Sequence, residues 1–293
     1  MKKAGLRASL LIGVILLTLA ILLSGCSGGE ASGKLKVVTT TSLIASIVQK
    51  VGGDKVQVAD IIPAAQCPGQ FDVKPSDVQM LADARLFLMH GWQGETFTTG
   101  LIKSADNPGL KVISLNIAGN WMIPAVQAQA VGNISSILAE MDPQNASYYQ
   151  SNANSEFAAI SAKDNELKAE LAAGNLSQIN VLCDAQITDF VQWAGFNVID
   201  SYPSPDTDIT PQIMQRLIDQ GKQAGAALVI GNLQSGTSDT PATIASGIGA
   251  GVVPVTVSNF PGGLPNTETW EKAIQNDVNL MLQAIATYRG NSH

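Results

Sequence analysis

The sequence predicts an α/β fold in which two lobes, each built on a mostly parallel sheet, are joined by a single long helix. Short apolar runs of strand type alternate with segments whose apolar residues have helical spacing, the pattern of parallel strands covered by helices. This alternation occurs twice, in residues 35–143 and in residues 175–293. Between them, residues 144–174 run almost without a helix breaker and end at Gly174-Asn175. We therefore expect an N-terminal lobe, a linking helix and a C-terminal lobe.

The first residues have the composition of an export signal. Basic residues precede an apolar run, residues 10–23, and two small residues follow it just before Cys26. The run is shorter than the roughly 20 residues that a spanning helix needs, so a membrane anchor is the lesser alternative. Its end resembles the lipobox of bacterial lipoproteins, in which the cysteine becomes the lipidated first residue. We expect residues 1–25 to be a signal peptide and residues 26–34 to be the lipidated cysteine with a flexible tether.

The first lobe is predicted from strands and helices in regular order. It opens with a strand at Lys36–Ser42 and a helix at Leu43–Val51, which Gly52-Gly53-Asp54 ends. Further strands are predicted at Val56–Ile62, Ala84–Met89 and Lys111–Leu115, and helices at Asp77–Ala84 and Val126–Met141.

The second lobe repeats this order. Strands are predicted at Asn180–Cys183, Phe196–Ser201, Ala227–Gly231 and Val252–Val257. Helices are predicted at Thr188–Ala194, Thr210–Ala224, Thr240–Ile248 and Thr267–Tyr288.

Polar side chains lie at or just after the ends of several predicted strands. They are Thr41, His90, Cys183, Asn232 and Asn259. Because ligands of open parallel sheets bind beyond the carboxyl ends of the strands, two facing sheets would place these residues around one cleft. Trp92 and Trp121 lie in loops of the same kind and join the predicted cleft lining.

Charge and motifs exclude several classes of protein. Removal of the signal takes away Lys2, Lys3 and Arg7 and lowers the formal net charge from −7 to −10, so nucleic acid is not an expected partner. No Ser/His/Asp order, G-x-S-x-G, phosphate loop or HExxH is present, and we expect no enzyme. Asp77 begins a predicted helix and is interpreted as a cap rather than as a catalytic carboxylate.

Four runs in the same order resemble the metal-binding solute-binding lipoproteins of ABC importers, the zinc- and manganese-type or cluster A-I family. They are VVTTTSLIASIVQKVGGDKV, PSDVQMLADARLFL, ILAEMDPQNASYYQSNANSEF and GGLPNTETWEKAIQNDVNLMLQAI. The resemblance covers most of the mature chain. It implies two α/β lobes joined by one long helix and a transition-metal ion as cargo.

The ligand positions of that family are substituted in this sequence. The family loop D-P-H-x-Y-E-P-x-P-S-D corresponds to Cys67–Asp77, with Gly69 in place of histidine, and H-x-W-L-D-P corresponds to Gly119–Pro124. Cys183 stands where a third ligand, histidine or glutamate, is expected, and a late aspartate is replaced near Asn259. Zinc and manganese prefer imidazole and carboxylate donors, which these residues do not supply.

Soft donors remain at or near these positions: Cys67, Cys183, His90 and Met122. Thiolate, thioether and imidazole ligands favour Cu(I) or another thiophilic ion. The resemblance implies zinc or manganese, so the predicted cargo is zinc, manganese or such a thiophilic ion. The alternatives for the two cysteines are buried inert thiols or a disulfide between the lobes. Another alternative is a metal chelate or organic solute, with Phe71, Phe260 and the two tryptophans stacking and Asn120, Asn232, Gln234 and Asn259 donating hydrogen bonds.

Together these features predict a lipid-anchored binding protein on the outer face of the cytoplasmic membrane or facing the periplasm. It would act as a monomer, close its lobes on cargo and deliver the cargo to an ABC permease and its ATPase. A degenerate lipoprotein that acts as an adhesin or redox sensor is the alternative from another functional class.

Overall fold

Two four-stranded parallel sheets carry the part of the chain that the computed structural model describes, residues 33–91, 95–236 and 239–291. The first sheet has the strand order β2-β1-β3-β4 and the second the equivalent order β6-β5-β7-β8. The strands are β1 Leu35–Thr41, β2 Val56–Ile62, β3 Leu86–Met89, β4 Lys111–Ser114, β5 Asn180–Asp184, β6 Asn197–Tyr202, β7 Leu228–Asn232 and β8 Val253–Val257.

Nine α-helices within those residues connect and cover the strands. They are α1 Ser42–Gly52, α2 Pro75–Ala82, α3 Phe97–Ala105, α4 Pro124–Met141, α5 Ala146–Ala173, α6 Thr188–Trp193, α7 Pro211–Ala224, α8 Thr240–Ile248 and α9 Trp270–Asn291.

Short polar residues set the starts of several helices. The hydroxyl of Thr41 accepts from the Ile44 amide at the start of α1, and that of Thr210 accepts from the Ile213 amide at the start of α7. Asp77, predicted to cap α2, occupies the third position of that helix and accepts from the Lys74 amide at 2.8 Å. Its carboxylate is thereby committed to the helix start.

Strand alternation builds a core on both faces of each sheet. In β5, Val181 and Cys183 pack into the large core shared by both lobes, whereas Leu182 packs into an outer core beneath α7 and α8. In β1, Val37 and Val38 divide in the same way between the shared core and the outer core of the first sheet. Both sheets are therefore covered on two faces, as parallel sheets require.

The helix α5 is 28 residues long and lies between the two sheets in the sequence. Tyr149, Ala153, Ile160, Leu167 and Leu171 from this helix join the shared core, which contains residues of both sheets. The prediction of two α/β lobes joined by one long helix is confirmed. We call residues 35–143 the first lobe and residues 175–291 the second lobe.

Among the described residues, no helix has both the length and the apolar character that crossing a membrane demands.

Candidate functional site: the cleft between the lobes

Thr41 and His90 end neighbouring strands of the first sheet and bind each other. Thr41 Oγ1 lies 2.8 Å from His90 Nε2, and both residues are buried. The ring of His90 contacts that of Trp121 edge-on, with 4.5 Å between centroids. Burial lowers the pKa of His90 to about 3, so the imidazole is neutral at physiological pH. These residues fix the strand ends of the first lobe against each other.

Glu95 is a buried carboxylate that sequence reasoning missed. It accepts hydrogen bonds from Thr40 Oγ1 at 2.5 Å, from the Gly91 amide at 2.8 Å and from the His90 amide at 3.2 Å. Its oxygens therefore hold the ends of β1 and β3 together within one lobe.

The two predicted thiol ligands lie in different environments, and both are free cysteines. Cys67 is half-buried in the loop just before the short turn Pro68–Gln70. Cys183 is fully buried in the shared core, with Sγ 3.6 Å from Thr188 Oγ1. Burial raises the pKa of Cys183 to about 12, so this thiol is protonated.

Met122, Trp121 and Asn232 also have defined places. Met122 and Trp121 are buried in the shared core, and Trp121 Nε1 donates to the Ile117 carbonyl. The side chain of Asn232 forms hydrogen bonds just after its own strand: it donates to Ser235 Oγ at 2.9 Å and accepts from the Gln234 amide. Trp92 and Cys26 lie outside the described residues.

Across residues 33–91, 95–236 and 239–291, no three His, Cys, Asp or Glu side chains are grouped so that they could hold a metal ion. Cys67, His90 and Cys183 are therefore not assembled into one site in this structure. Burial alone would not exclude them, because ligands in a closed cleft are buried too. What a metal site would need, and this structure does not show, is that the three side chains come together around one point.

Neutral side chains instead bridge the two lobes. Asn120 Nδ2 of the first lobe lies 2.8 Å from Asn259 Oδ1 and 3.0 Å from the Gln186 carbonyl of the second. Gln234 Nε2 donates to the Ala64 carbonyl at 2.7 Å. Ser42 Oγ donates to the Pro261 carbonyl at 2.7 Å. Asn120, Gln234 and Asn259 were predicted as hydrogen-bonding groups, whereas Ser42 and Gln186 were missed, although Ser42 directly follows β1 and Gln186 lies two residues after the end of β5.

A buried carboxyl supports the loop that carries Asn259. Asp277, on α9, is 1% exposed, and its Oδ1 accepts from the Ser258 amide at 3.1 Å. Its Oδ2 has no hydrogen-bond partner within the described part of the chain. Burial raises the pKa of this carboxyl well above its usual range.

The sequence matches the family ZnuA, zinc-uptake complex component A, periplasmic, over residues 37–284. The chain belongs to this family. The match runs from the first strand through the linking helix into α9, and thus includes every loop of the cleft. The predicted resemblance is confirmed.

Three curated relatives resemble the chain over part of their length. The manganese ABC transporter substrate-binding lipoprotein PsaA of Streptococcus pneumoniae is 31% identical over 166 residues. The metal ABC transporter substrate-binding lipoprotein FimA of Streptococcus parasanguinis is 32% identical over 182 residues. The iron ABC transporter substrate-binding lipoprotein MtsA of Streptococcus pyogenes is 28% identical over 193 residues. These alignments cover 49%, 53% and 58% of this chain. They span 54%, 59% and 62% of the relatives, so the chain matches little more than half of each.

Two solved structures illustrate the proteins that share this fold. The chain superimposes on the binding protein FpvC of Pseudomonas aeruginosa, solved with Ni²⁺, with a TM-score of 0.73 and 19% identity, covering 86% of this chain and 97% of that one. For a crystal structure of ZnuA the TM-score is 0.72 at 20% identity, with 86% and 99% covered. At this identity the likeness shows the fold of the family, in agreement with the two-lobe prediction.

Proposed function

We propose that this chain is the extracytoplasmic solute-binding component of an ABC importer and that its cargo is a transition-metal ion. The observation that carries this proposal is the family match across residues 37–284, which takes in both lobes and the cleft between them. The relatives named for manganese, iron and metal transport support the same class of cargo. Zinc, manganese or a thiophilic ion such as Cu(I) is the proposed cargo.

The proposed partners are the permease and the ATPase of the importer. The protein acts as a monomer, held through a lipid at Cys26 to the outer face of the cytoplasmic membrane or facing the periplasm. The relatives bear the name lipoprotein, and the sequence places small residues before this cysteine. It binds and releases its cargo without catalysing a reaction, a role that the name substrate-binding lipoprotein of its relatives supports.

Direct coordination by Cys67 and Cys183, with His90 and Met122, is the first proposed mode of binding. It requires the cargo to assemble a site that His, Cys, Asp and Glu side chains do not already form among the described residues, and to deprotonate a buried thiol. The shell around the ion would then take donors from both lobes, Cys67 from the first and Cys183 from the second.

A metal complex or small organic solute is the second candidate, and the cleft lining favours it. The side chains that meet across the cleft are amides and a hydroxyl, which form hydrogen bonds with ligand atoms but are weak ligands of a bare transition metal. Such groups recognise a solute that carries its own donors and acceptors.

Cargo analysis of the purified full-length protein separates these modes. Native mass spectrometry and elemental analysis would compare wild type with Cys67→Ser, Cys183→Ser and the double variant, all purified with reductant. Coordination by thiols predicts a bare ion in wild type and its loss in the double variant. Retention of the metal in all four proteins, with a mass above that of the ion, would identify a complex and reject the thiol site.

Absence of metal and of any other solute from wild type, together with normal metal uptake after deletion of the gene, would contradict the proposed transport role. That result would favour the adhesin or redox alternative.

A further inference from the structure

The strand-end loops of the two lobes are joined by direct hydrogen bonds. We use the term cleft clasp for the side chains of Ser42, Asn120, Gln234 and Asn259 together with the carbonyls that accept from them, those of Ala64, Gln186 and Pro261. The four cross-lobe distances fall between 2.7 and 3.0 Å. These are ordinary lengths for well-formed hydrogen bonds.

The clasp occupies positions that correspond to ligand loops of the family. Asn120 directly follows Gly119, which stands at a histidine position, and Asn259 stands near the aspartate position. Gly119 has a φ of 93°, a left-handed conformation that residues with a side chain rarely adopt. The backbone conformation at position 119 therefore favours glycine over histidine. The side-chain amide of the next residue, Asn120, makes the contact across the cleft.

The side-chain amides of Asn120 and Gln234 are also held within their own lobes. Asn120 Oδ1 accepts from the Met122 amide at 2.8 Å, and Gln234 Oε1 accepts from the Asn259 amide at 2.9 Å. Gln234 Nε2 donates to Ser258 Oγ at 2.9 Å as well as to the Ala64 carbonyl across the cleft. The donors are thus oriented before the lobes meet, which reduces the entropy lost on closure.

We propose that this protein closes its cleft through the clasp, so that the closed form is the major state without cargo. In a receptor closed by a metal ion, repulsion or desolvation of charged ligands favours the open form until the ion arrives. The clasp side chains are neutral and already paired, and they impose no such penalty. Cargo then enters by displacing hydrogen bonds between the lobes rather than by drawing the lobes together.

Single-molecule Förster resonance energy transfer, measured on full-length protein that has been dialysed against a chelator, tests this inference. Fluorophores would be attached through non-canonical amino acids at Lys103 of the first lobe and Lys222 of the second, both exposed positions. Wild type should show one high-transfer population, and addition of zinc or manganese chloride should leave it in place. The double variant Asn120→Ala/Asn259→Ala should gain a low-transfer population, with the closed-to-open ratio falling about 2- to 10-fold for each net hydrogen bond lost.

Two further variants keep the result interpretable. Ser42→Ala removes one clasp bond without touching the amides and should produce a smaller shift in the same direction. Asn133→Ala removes an exposed amide that bonds only within α4 and should behave as wild type. The inference is overturned if cargo-free wild type is mainly open and closes on adding metal, or if the clasp variants and Asn133→Ala give the same distribution. Because no cargo is needed, the outcome is independent of whether the protein transports a metal.

Discussion

Gln234 is the residue on which the contacts of the cleft converge. Both hydrogens of its side-chain amide are used, one on the Ala64 carbonyl of the other lobe and one on Ser258, while its oxygen accepts from the Asn259 amide. The side chain is 4% exposed, so each of these bonds forms away from bulk water. A single glutamine thereby connects the loops after β7 and β8 to the loop after β2.

Asp277 supports the same loop from beneath, and its replacement should stabilise the protein near neutral pH. Since burial raises its pKa, the folded protein binds this proton more tightly than the unfolded chain does. The free energy of unfolding therefore falls as pH rises from the ordinary value of 3.8 through the folded value. Asp277→Asn keeps the acceptor for the Ser258 amide without the charge. We expect a gain on the order of 1–3 kcal/mol at pH 8 that shrinks toward pH 3.5.

Thermal unfolding of both proteins between pH 3.5 and 8 measures this effect. Asp219→Asn, an exposed aspartate on α7, is the matched control and should show no comparable trend with pH. A lower melting temperature for Asp277→Asn at pH 8 would mean that the charged carboxylate is needed.

Gly263 lies where a side chain would collide with the clasp. A Cβ at this position would lie 2.2 Å from Ser258 Oγ and 2.9 Å from Gln234 Nε2. We expect Gly263→Ala to lower the free energy of unfolding by about 1–3 kcal/mol because the loop must shift. Gly100→Ala is the matched control, since α3 leaves open space there and a helical alanine should add about 0.5–1 kcal/mol. Urea titrations that give the two variants equal stability would refute the expected collision.

At the scale of elements, three ion-paired side chains connect α1 of the first lobe, the linking helix α5 and the last helix, α9. Lys50 Nζ of α1 lies 2.7 Å from Glu271 Oε1 of α9 and 3.5 Å from Glu156 Oε2 of α5. Burial raises the pKa of Glu156 despite the nearby lysine. For Glu271 burial is the largest single influence and acts in the same direction. The hydrogen bond and the charge of Lys50, together with hydrogen bonds from the Glu271 backbone and from Thr269, outweigh burial and lower the pKa.

Removal of the lysine should expose the repulsion between these two carboxylates. We expect Lys50→Met to lower the free energy of unfolding by about 1–2 kcal/mol at pH 7, between the values for exposed and buried pairs. At pH 4.5 the loss should be smaller, because Glu156 then carries a proton and the remaining pair no longer repels. Lys168→Met, which breaks an exposed pair within α5, should cost less and vary little with pH. Equal losses for the two variants at both pH values would contradict a shared ionic contact.

For the whole molecule, the fold could be predicted from the sequence, whereas the contacts between the lobes could not. The order of strands and helices follows from the local spacing of apolar residues, which is why both sheets and the long helix could be predicted. The alternation in β5 also holds the signal that Cys183 faces the core with Val181, although its position at a strand end favoured a cleft ligand. The bond from Ser42 to Pro261 joins residues 219 apart, and no local pattern marks such a pair.

A crystal structure of the chelator-dialysed protein, with anomalous scattering to establish that the cleft holds no metal, would test the clasp most directly. We expect Asn120 Nδ2 and Asn259 Oδ1 to lie about 3 Å apart, with Gln234 still bonded to the Ala64 carbonyl. A metal-free structure in which these pairs are separated beyond about 3.5 Å, and in which they meet only when an ion is present, would contradict closure by the protein's own hydrogen bonds.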